Sequence, residues 1–270
     1  MASEPVTDGL VVDDVSKYFP GPHGVVSAIR EISFGVERGG FVAIVGPSGS
    51  GKSTLLRILA GLMPFERGSV TVFGETVREA RENKHIGYVP QTPALLPWRN
   101  VTDNVMLPFQ LNRKAMRRGE DSPEAHLRRA STLVQAVGLS GVEHRLPSEL
   151  SGGMQQRVAI ARALVFEPQV LLMDEPFSAL DELTREQLRH ELLRLFDLQR
   201  PTVVFVTHSI TEAVLLADRV LVMSSAPGRL MGEIKVTLPR PRPALVETTP
   251  AFHELENTVR AMMRSGWGAP

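Results

Sequence analysis

The feature that most restricts what this chain can fold into is a glycine-rich stretch with the sequence Gly46-Pro47-Ser48-Gly49-Ser50-Gly51-Lys52-Ser53. An apolar run at 41–45 precedes it and a helical pattern at 54–60 follows it. A strand, a loop of the form G-x-x-x-x-G-K-[ST] and a helix together make a phosphate cradle, because glycines permit positive φ and close approach of backbone N–H groups. We therefore predict that this loop and Thr54 hold nucleotide phosphates. Lys52 would contact the β- and γ-phosphates, and the Ser53 hydroxyl would be a ligand of Mg²⁺.

Composition sets the broad class of the protein. The chain has 270 residues, 43% hydrophobic and 22% charged, with a formal net charge of zero and no cysteine. A neutral balance gives no reason to expect general binding to nucleic acid or anionic lipid, and disulfides and thiolate metal sites are excluded. We find neither a secretory signal at the N-terminus nor an apolar run of the ~18 residues needed to span a bilayer. Any membrane association is therefore expected to go through a partner.

The first part of the chain is expected to mix antiparallel strands with one strand–helix unit. Residues 10–19 and 25–36 have extended patterns on either side of a turn rich in proline and glycine. Alternation in the second run predicts a buried face made by Ile29, Ile32 and Phe34.

The middle of the chain, residues 101–139, has a helical pattern. The predicted buried face consists of Leu127, Ala130, Leu133, Val134 and Val137. The basic residues of this region are Arg113, Lys114, Arg117, Arg118, Arg128 and Arg129. Acidic side chains are interleaved with them, which favours a solvated helical face over a nucleic-acid patch.

The second half alternates strands with helices, which predicts a parallel sheet with right-handed crossovers. The predicted strands are 170–174, 202–207 and 219–223, and the predicted helices are 184–198, 210–217 and 251–263. The run Pro239-Arg-Pro-Arg-Pro243 is expected to be a stiff linker.

A second nucleotide-site pattern ends one of these strands. Val170-Leu-Leu-Met-Asp174 is apolar up to its last residue, and Glu175 follows directly. Ligands of open α/β sheets bind at the carboxyl ends of strands, so both carboxylates are expected at the phosphate loop. We predict that Asp174 binds Mg²⁺ and that Glu175 orients or deprotonates the attacking water.

A third motif makes the sequence recognisable: Leu150-Ser151-Gly152-Gly153-Met154-Gln155-Gln156-Arg157 resembles the signature motif of ATP-binding cassette (ABC) ATPases. The resemblance implies an α/β fold, with a P-loop NTPase (RecA-like) core, an antiparallel β subdomain and an inserted α-helical subdomain. It implies an ABC ATPase domain at 9–235, with the helical subdomain at about 92–165, and a short C-terminal linker and helix at 236–270. Met154 departs from the glutamine more common in the family.

The same motif suggests an assembly. Ser151, Gly152 and Gly153 stand at a predicted helix N-terminus, which is a second anion site. One chain cannot easily bring both anion sites to one phosphate, but two chains arranged head-to-tail can. The resemblance implies the same: an ATP-sandwich dimer in which these residues close over the ATP bound at the P-loop of another copy.

The resemblance also assigns the remaining site residues. Gln91 matches the glutamine that reaches Mg²⁺ and the attacking water, Asp181 ends the Ser178-Ala-Leu-Asp181 loop at the dimer interface, and His208 matches the histidine that contacts the γ-phosphate. Phe19 lies two residues after Val15-Ser16-Lys17, where the family places the aromatic that stacks on adenine. Tyr18 is the alternative.

The segment after Gln91 points to a membrane partner. Leu95, Leu96 and Trp98 occur in Pro93-Ala-Leu-Leu-Pro-Trp-Arg-Asn-Val101, either as a small satellite core or as a docking groove for a partner helix. This run and the form of the signature resemble the nitrate/sulfonate/taurine importer group. That resemblance implies two transmembrane permease subunits docking near these three residues, an extracytoplasmic solute-binding protein acting indirectly, and a position on the cytoplasmic face of the inner membrane. The solute would be a small organic or inorganic anion. The alternative is a soluble ABC-type ATPase acting on nucleic acid or ribosomes.

Overall fold

The computed structural model of the protein describes residues 8–21, 24–111 and 122–266. Its strands are β1 Gly9–Gly21, β2 Gly24–Glu37, β3 Phe41–Val45, β4 Arg67–Val72, β5 Glu75–Thr76, β6 Ile86–Val89, β7 Val170–Asp174, β8 Thr202–Thr207, β9 Arg219–Met223 and β10 Leu230–Lys235. Its α-helices are α1 Lys52–Leu59, α2 Val77–Glu82, α3 Val101–Gln110, α4 Pro123–Ala136, α5 Gly152–Leu164, α6 Glu182–Gln199, α7 Ile210–Leu216 and α8 Pro250–Gly266. Short 3-10 helices cover Pro147–Glu149 and Ala244–Thr248.

The larger of the two sheets in these ranges carries the predicted site. Its strand order is β10-β9-β3-β8-β7-β6, and only β10 runs antiparallel to its neighbour. The predicted parallel sheet is therefore confirmed. Every residue of β3, β7 and β8 is buried, as expected for parallel strands covered on both faces. The carboxyl ends of these three strands meet at one edge of the sheet.

The smaller sheet is antiparallel, with strand order β2-β1-β4-β5. Its inner face buries Ile29, Ile32 and Phe34, as the alternation predicts. These side chains share a core with α1 and with one face of the large sheet, while α3 to α8 pack in a core that includes the other face. The P-loop thus lies where the two sheets meet.

The predicted 101–139 helical region contains two described helices, α3 and α4. Leu127 is 49% exposed, so its predicted place on the buried face is wrong. The other four predicted positions are buried, and His126 takes the place of Leu127 on that face, where it stacks on Phe109 with ring centroids 3.8 Å apart. Arg113, Lys114, Arg117 and Arg118 lie outside the described residues.

Some elements of the structure were not predicted from the sequence. Helix α2 begins with a capping box between Thr76 and Glu79, a signal that the T-x-x-E spacing carries. Strand β10 was also not predicted. The proline–arginine run at 239–243 differs from a free linker, because Arg242 is 5% exposed and Arg240 bonds to Asp218 at 2.8 Å.

Candidate nucleotide site

The glycine-rich loop connects β3 to α1, with Ser48 and Gly49 exposed at its tip and Thr54 half-buried in the first turn of the helix. Gly51 has a φ of 87°, and a Cβ there would lie 2.5 Å from Ile29 Cγ2. Gly46, by contrast, does not have a positive φ. A Cβ on Gly46 would instead lie 2.9 Å from the Met223 carbonyl oxygen, so close packing is the reason for glycine.

The side chain of Lys52 is folded back over the loop. It is 5% exposed, and its Nζ donates to the carbonyl oxygens of Gly46 and Pro47, each at 2.9 Å. Burial lowers its pKa, and the nearby carboxylates of Glu175 and Asp174 oppose that shift. The cation is therefore held where the motif requires it, with backbone oxygens as partners that a phosphate can replace.

Ser53 and Asp174 are brought together across 121 residues of sequence, with the Ser53 hydroxyl donating to Asp174 Oδ1 at 2.8 Å. Burial raises the pKa of Asp174, while the Ser53 bond and the charge of Arg57 lower it. A hydroxyl beside a carboxylate is the hard oxygen donor set that Mg²⁺ prefers, with waters and phosphate oxygens as its other ligands. In the described ranges no group of three or more acidic, histidine or cysteine side chains could hold a metal alone.

Glu175 and His208 are in direct contact. His208 Nδ1 lies 2.9 Å from Glu175 Oε2, and the Glu175 backbone N–H donates to the Val206 carbonyl oxygen, also at 2.9 Å. Glu175 has a φ of 43°, the left-handed region that functional sites tolerate at a cost in stability. This backbone conformation directs the Glu175 carboxylate towards the His208 ring, which follows the neighbouring strand β8. The arrangement suits a base whose orientation is fixed by a second group.

Gln91 lies just beyond β6, and its Nε2 is 3.4 Å from Ser178 Oγ. Ser178 in turn donates to the carbonyl oxygen of Glu175 at 3.0 Å. The loop after β6 is therefore linked to the backbone of the candidate base.

Two residues beside Asp174 were missed by sequence reasoning. Burial raises the pKa of the Tyr88 hydroxyl, with the negative charge of Asp174 adding to the effect and the positive charge of Arg57 opposing it. Tyr88 lies on β6, the strand adjacent to β7. Neighbouring strand ends were thus a usable signal for Tyr88, whereas Arg57 on α1 had none.

The remaining predicted residues cap helices. Ser151 accepts from the Met154 N–H at 3.3 Å at the start of α5, and Asp181 accepts from the Thr184 N–H at 3.0 Å at the start of α6. That backbone bond lowers the pKa of Asp181. Ser151 and Gly152 are exposed and Gly153 is buried, and the recorded contact of the Ser151 hydroxyl is within its own helix. The structure brings Gln91, Asp174 and His208 to the P-loop edge, but it does not place the signature serine there.

Phe19 is half-buried on β1, and the Lys17 ammonium lies 5.2 Å from the centroid of its ring. Neighbouring Tyr18 has its backbone N–H bound to Glu66. Successive strand residues face opposite sides, so Phe19 and Tyr18 cannot both stack on the same adenine.

We expect Phe19→Ala to raise the KM for ATP roughly tenfold with little change in kcat, because stacking on a base contributes about 1–3 kcal/mol. Steady-state ATPase kinetics would test this, with Tyr18→Ala as the matched control that leaves KM unchanged. The reverse result would assign the stacking to Tyr18.

A phosphate loop, a strand that ends in the carboxylate of Asp174, and His208 at the end of a neighbouring strand all lie on one parallel sheet. This combination defines a P-loop NTPase. The sequence profile described as ABC transporter matches residues 29–178. The chain belongs to the ABC transporter family.

Relatives cover most of the chain. It is 39% identical to the aliphatic sulfonates import ATP-binding protein SsuB of Bacillus cereus, over 94% of this chain and 96% of that protein. It is 41% identical to the nitrate import ATP-binding protein NrtD of Synechococcus elongatus (89% and 86% covered) and to the taurine import ATP-binding protein TauB of Rhizobium johnstonii (95% and 97%). These names give no support to the nucleic-acid alternative.

The fold is similar to that of the ATP-binding cassette MJ0796, whose dimer has been solved in a post-hydrolysis state bound to ADP and Pi. The TM-score is 0.74 at 33% identity, covering 85% of this chain and all of the other. The predicted fold class is confirmed. Within the described ranges, no helix is long and apolar enough to cross a membrane.

Proposed function

We propose that this chain is the ATP-hydrolysing subunit of an ABC importer for a small anion. The observation that carries the proposal is the meeting of Lys52, Ser53, Asp174, Glu175 and His208 at one sheet edge. The solute class is inferred from relatives named for aliphatic sulfonates, nitrate and taurine import. The chain would act at the cytoplasmic face of the inner membrane, bound to permease subunits. An extracytoplasmic solute-binding protein would deliver the solute to those subunits.

The chemistry follows from the contacts of these residues. The phosphates of ATP replace the Gly46 and Pro47 carbonyl oxygens as partners of Lys52 and accept from the loop N–H groups. Ser53, Asp174 and Gln91 would hold Mg²⁺, which would neutralise charge on the phosphate oxygens. Glu175 accepts a proton from the attacking water or orients it, and His208 keeps the carboxylate in place while its exposed ring contacts the γ-phosphate.

The site is completed by a second copy. Exposed Ser151 and Gly152 stand at the N-terminus of a 13-residue helix, which attracts an anion. In a head-to-tail dimer, these residues, Gly153 and the Asp181 loop would close over the ATP of the partner copy. Closure on ATP and reopening after hydrolysis would drive the permease between two access states.

The permease is proposed to dock in an apolar groove between β6, α3 and α5. The groove has a volume of about 310 Å³ and is lined by Tyr88, Leu107, Leu111 and Phe166 among others. Its wall is connected to the segment after Gln91, because the Arg162 guanidinium donates to the carbonyl oxygens of Pro93 and Ala94 at 2.6 and 2.9 Å. A helix inserted there would therefore press on the nucleotide-site loop.

The three residues predicted to contact the permease, Leu95, Leu96 and Trp98, differ in exposure and packing. Trp98 is 72% exposed and available to a partner. Leu95 packs against the main core, and the Leu96 backbone is bound by the side chain of buried Asn104. We therefore propose that Trp98 contacts the permease directly, while Leu95 and Leu96 hold the segment that carries it.

The function is tested by purification from detergent-solubilised membranes. We expect the full chain to bring down a multispanning partner, and Leu107→Glu to lose that partner while the purified chain still hydrolyses ATP. A buried unpaired charge at an interface costs several kcal/mol, which is enough to release the complex. Leu127→Glu, on an exposed position of α4, is the matched control and should keep the partner. Failure of the wild-type chain to bring down any membrane protein would contradict the importer function.

A further inference from the structure

The C-terminal segment 236–266 lies beyond the residues that match the family profile. It nevertheless shares a core with the large sheet, to which it contributes Val236, Leu238, Val246, Phe252, Val259 and Met263. We propose that this segment positions His208, acting through α7, and that Arg242 and Glu256 are the positioning residues. The inference rests on the part given to His208 in the proposed function.

Arg242 fixes the C-terminal end of α7. It is 5% exposed, and its Nη1 donates to the carbonyl oxygens of Val214, Leu215 and Ala217 at 3.3, 2.7 and 2.9 Å. The last carbonyls of a helix have no partner within it, so a buried guanidinium is an effective cap. Because α7 has only seven residues, it depends on such outside contacts to hold its place.

Glu256 fixes the other end. The Thr211 hydroxyl, in the first turn of α7, donates to Glu256 Oε1 on α8 at 2.6 Å. The Glu256 side chain is 14% exposed, so water competes little for this bond. Helix α7 is thus held at both ends by the C-terminal segment.

Hydrogen bonds connect α7 to the residues on either side of His208. Buried Glu212 of α7 accepts from the Thr207 hydroxyl at 2.5 Å, and Ser209 donates its N–H to the same hydroxyl at 3.0 Å. Ser209 also caps α7 by accepting from the Glu212 N–H. Both neighbours of His208 are therefore fixed to α7. The His208 side chain itself is 60% exposed and has little packing to hold it.

The same segment also approaches the helix that follows Asp181. Glu247 lies 3.8 Å from Arg189 and from His190, both on α6. The C-terminal segment therefore contacts both α7, which follows His208, and α6, which follows Asp181. His208 is proposed to act on the γ-phosphate and Asp181 across the dimer.

The test is a double-mutant cycle in the full-length chain, with Thr211→Val, Glu256→Ala and the double variant. Each single variant is expected to lower kcat for ATP hydrolysis about fivefold, the factor for losing one hydrogen bond of ~1 kcal/mol, with KM for ATP unchanged. The double variant should be no worse than Glu256→Ala, because both changes remove the Thr211–Glu256 bond and only Glu256→Ala also removes the contact of Glu256 with His253 at 3.4 Å. Glu256→Gln keeps an oxygen acceptor and should restore kcat. Thr258→Val, which removes a hydroxyl bonded within α8, is the matched control.

Two further arms keep the outcomes distinct. Arg242→Met should lower kcat at unchanged KM if it folds, and the Thr211–Glu256 cycle decides the matter if it does not. Equal kcat in all cycle variants, with only a lower melting temperature, would show a purely structural segment and overturn the inference. If His208→Ala kept wild-type kcat, the part given to His208 in the proposed function would fail instead, whereas the importer function is tested separately by the purification from membranes.

Discussion

Replacing Glu175 by glutamine is expected to lower kcat for ATP hydrolysis by roughly 10²- to 10³-fold, because the chain would lose its general base. ATP binding should persist, since the partners of Lys52 are backbone oxygens of the loop and Glu175 bonds to His208. Bound ATP that is not hydrolysed would keep two copies closed. The variant should therefore elute as a dimer with ATP and Mg²⁺ in size-exclusion chromatography, whereas the wild type returns to monomer.

The matched control is Glu186→Gln, which neutralises an exposed carboxylate on α6. It should hydrolyse ATP at the wild-type rate and show no ATP-dependent dimer. Normal turnover by Glu175→Gln would assign the base elsewhere.

A mixing experiment tests whether each site is shared between copies. Lys52→Met removes the phosphate cation, and Ser151→Asp keeps an N-cap acceptor but brings a negative charge to the phosphate. Each variant alone is expected to lose activity by roughly 10²-fold or more. An equal mixture should recover roughly a quarter of wild-type activity, because about half the dimers are mixed and each of those has one intact site.

The control is the double variant, Lys52→Met with Ser151→Asp, mixed equally with wild type. Shared sites predict about a quarter of wild-type activity, since mixed dimers then have no intact site, whereas sites within one chain predict about half. No recovery in the mixture of single variants would mean that Ser151 does not act on the partner's P-loop.

Sequence reasoning predicted the parts of the site that depend on local pattern. The P-loop between Phe41–Val45 and α1, and the apolar strand ending in Asp174, need only a few adjacent residues to define them. Strand ends of a parallel sheet meet at one edge, so the neighbourhood of Asp174 and His208 was also predictable.

The contacts within the site depend on register and packing, which one sequence does not contain. The His208–Glu175 contact follows from the pairing of Asp174 with Val206 across β7 and β8. Leu127 was misplaced for the same kind of reason, because a stacked His126 substituted for an aliphatic residue on the buried face of α4. The proline–arginine run was predicted from composition as a spacer, yet Arg242 is buried among carbonyl oxygens of α7.

The position of β3 in its sheet has a consequence for synthesis of the protein. Its hydrogen-bonded neighbours in the sheet are β8 and β9, which pair with it from Val203 and Arg219 onwards. A nascent chain therefore exposes the apolar run Phe41–Val45 unpaired until about 160 further residues have been added, on the order of ten seconds at ribosomal speed. The emerging chain cannot form its nucleotide pocket during that interval, and we expect the ribosome-bound intermediate to need a chaperone that recognises extended apolar segments.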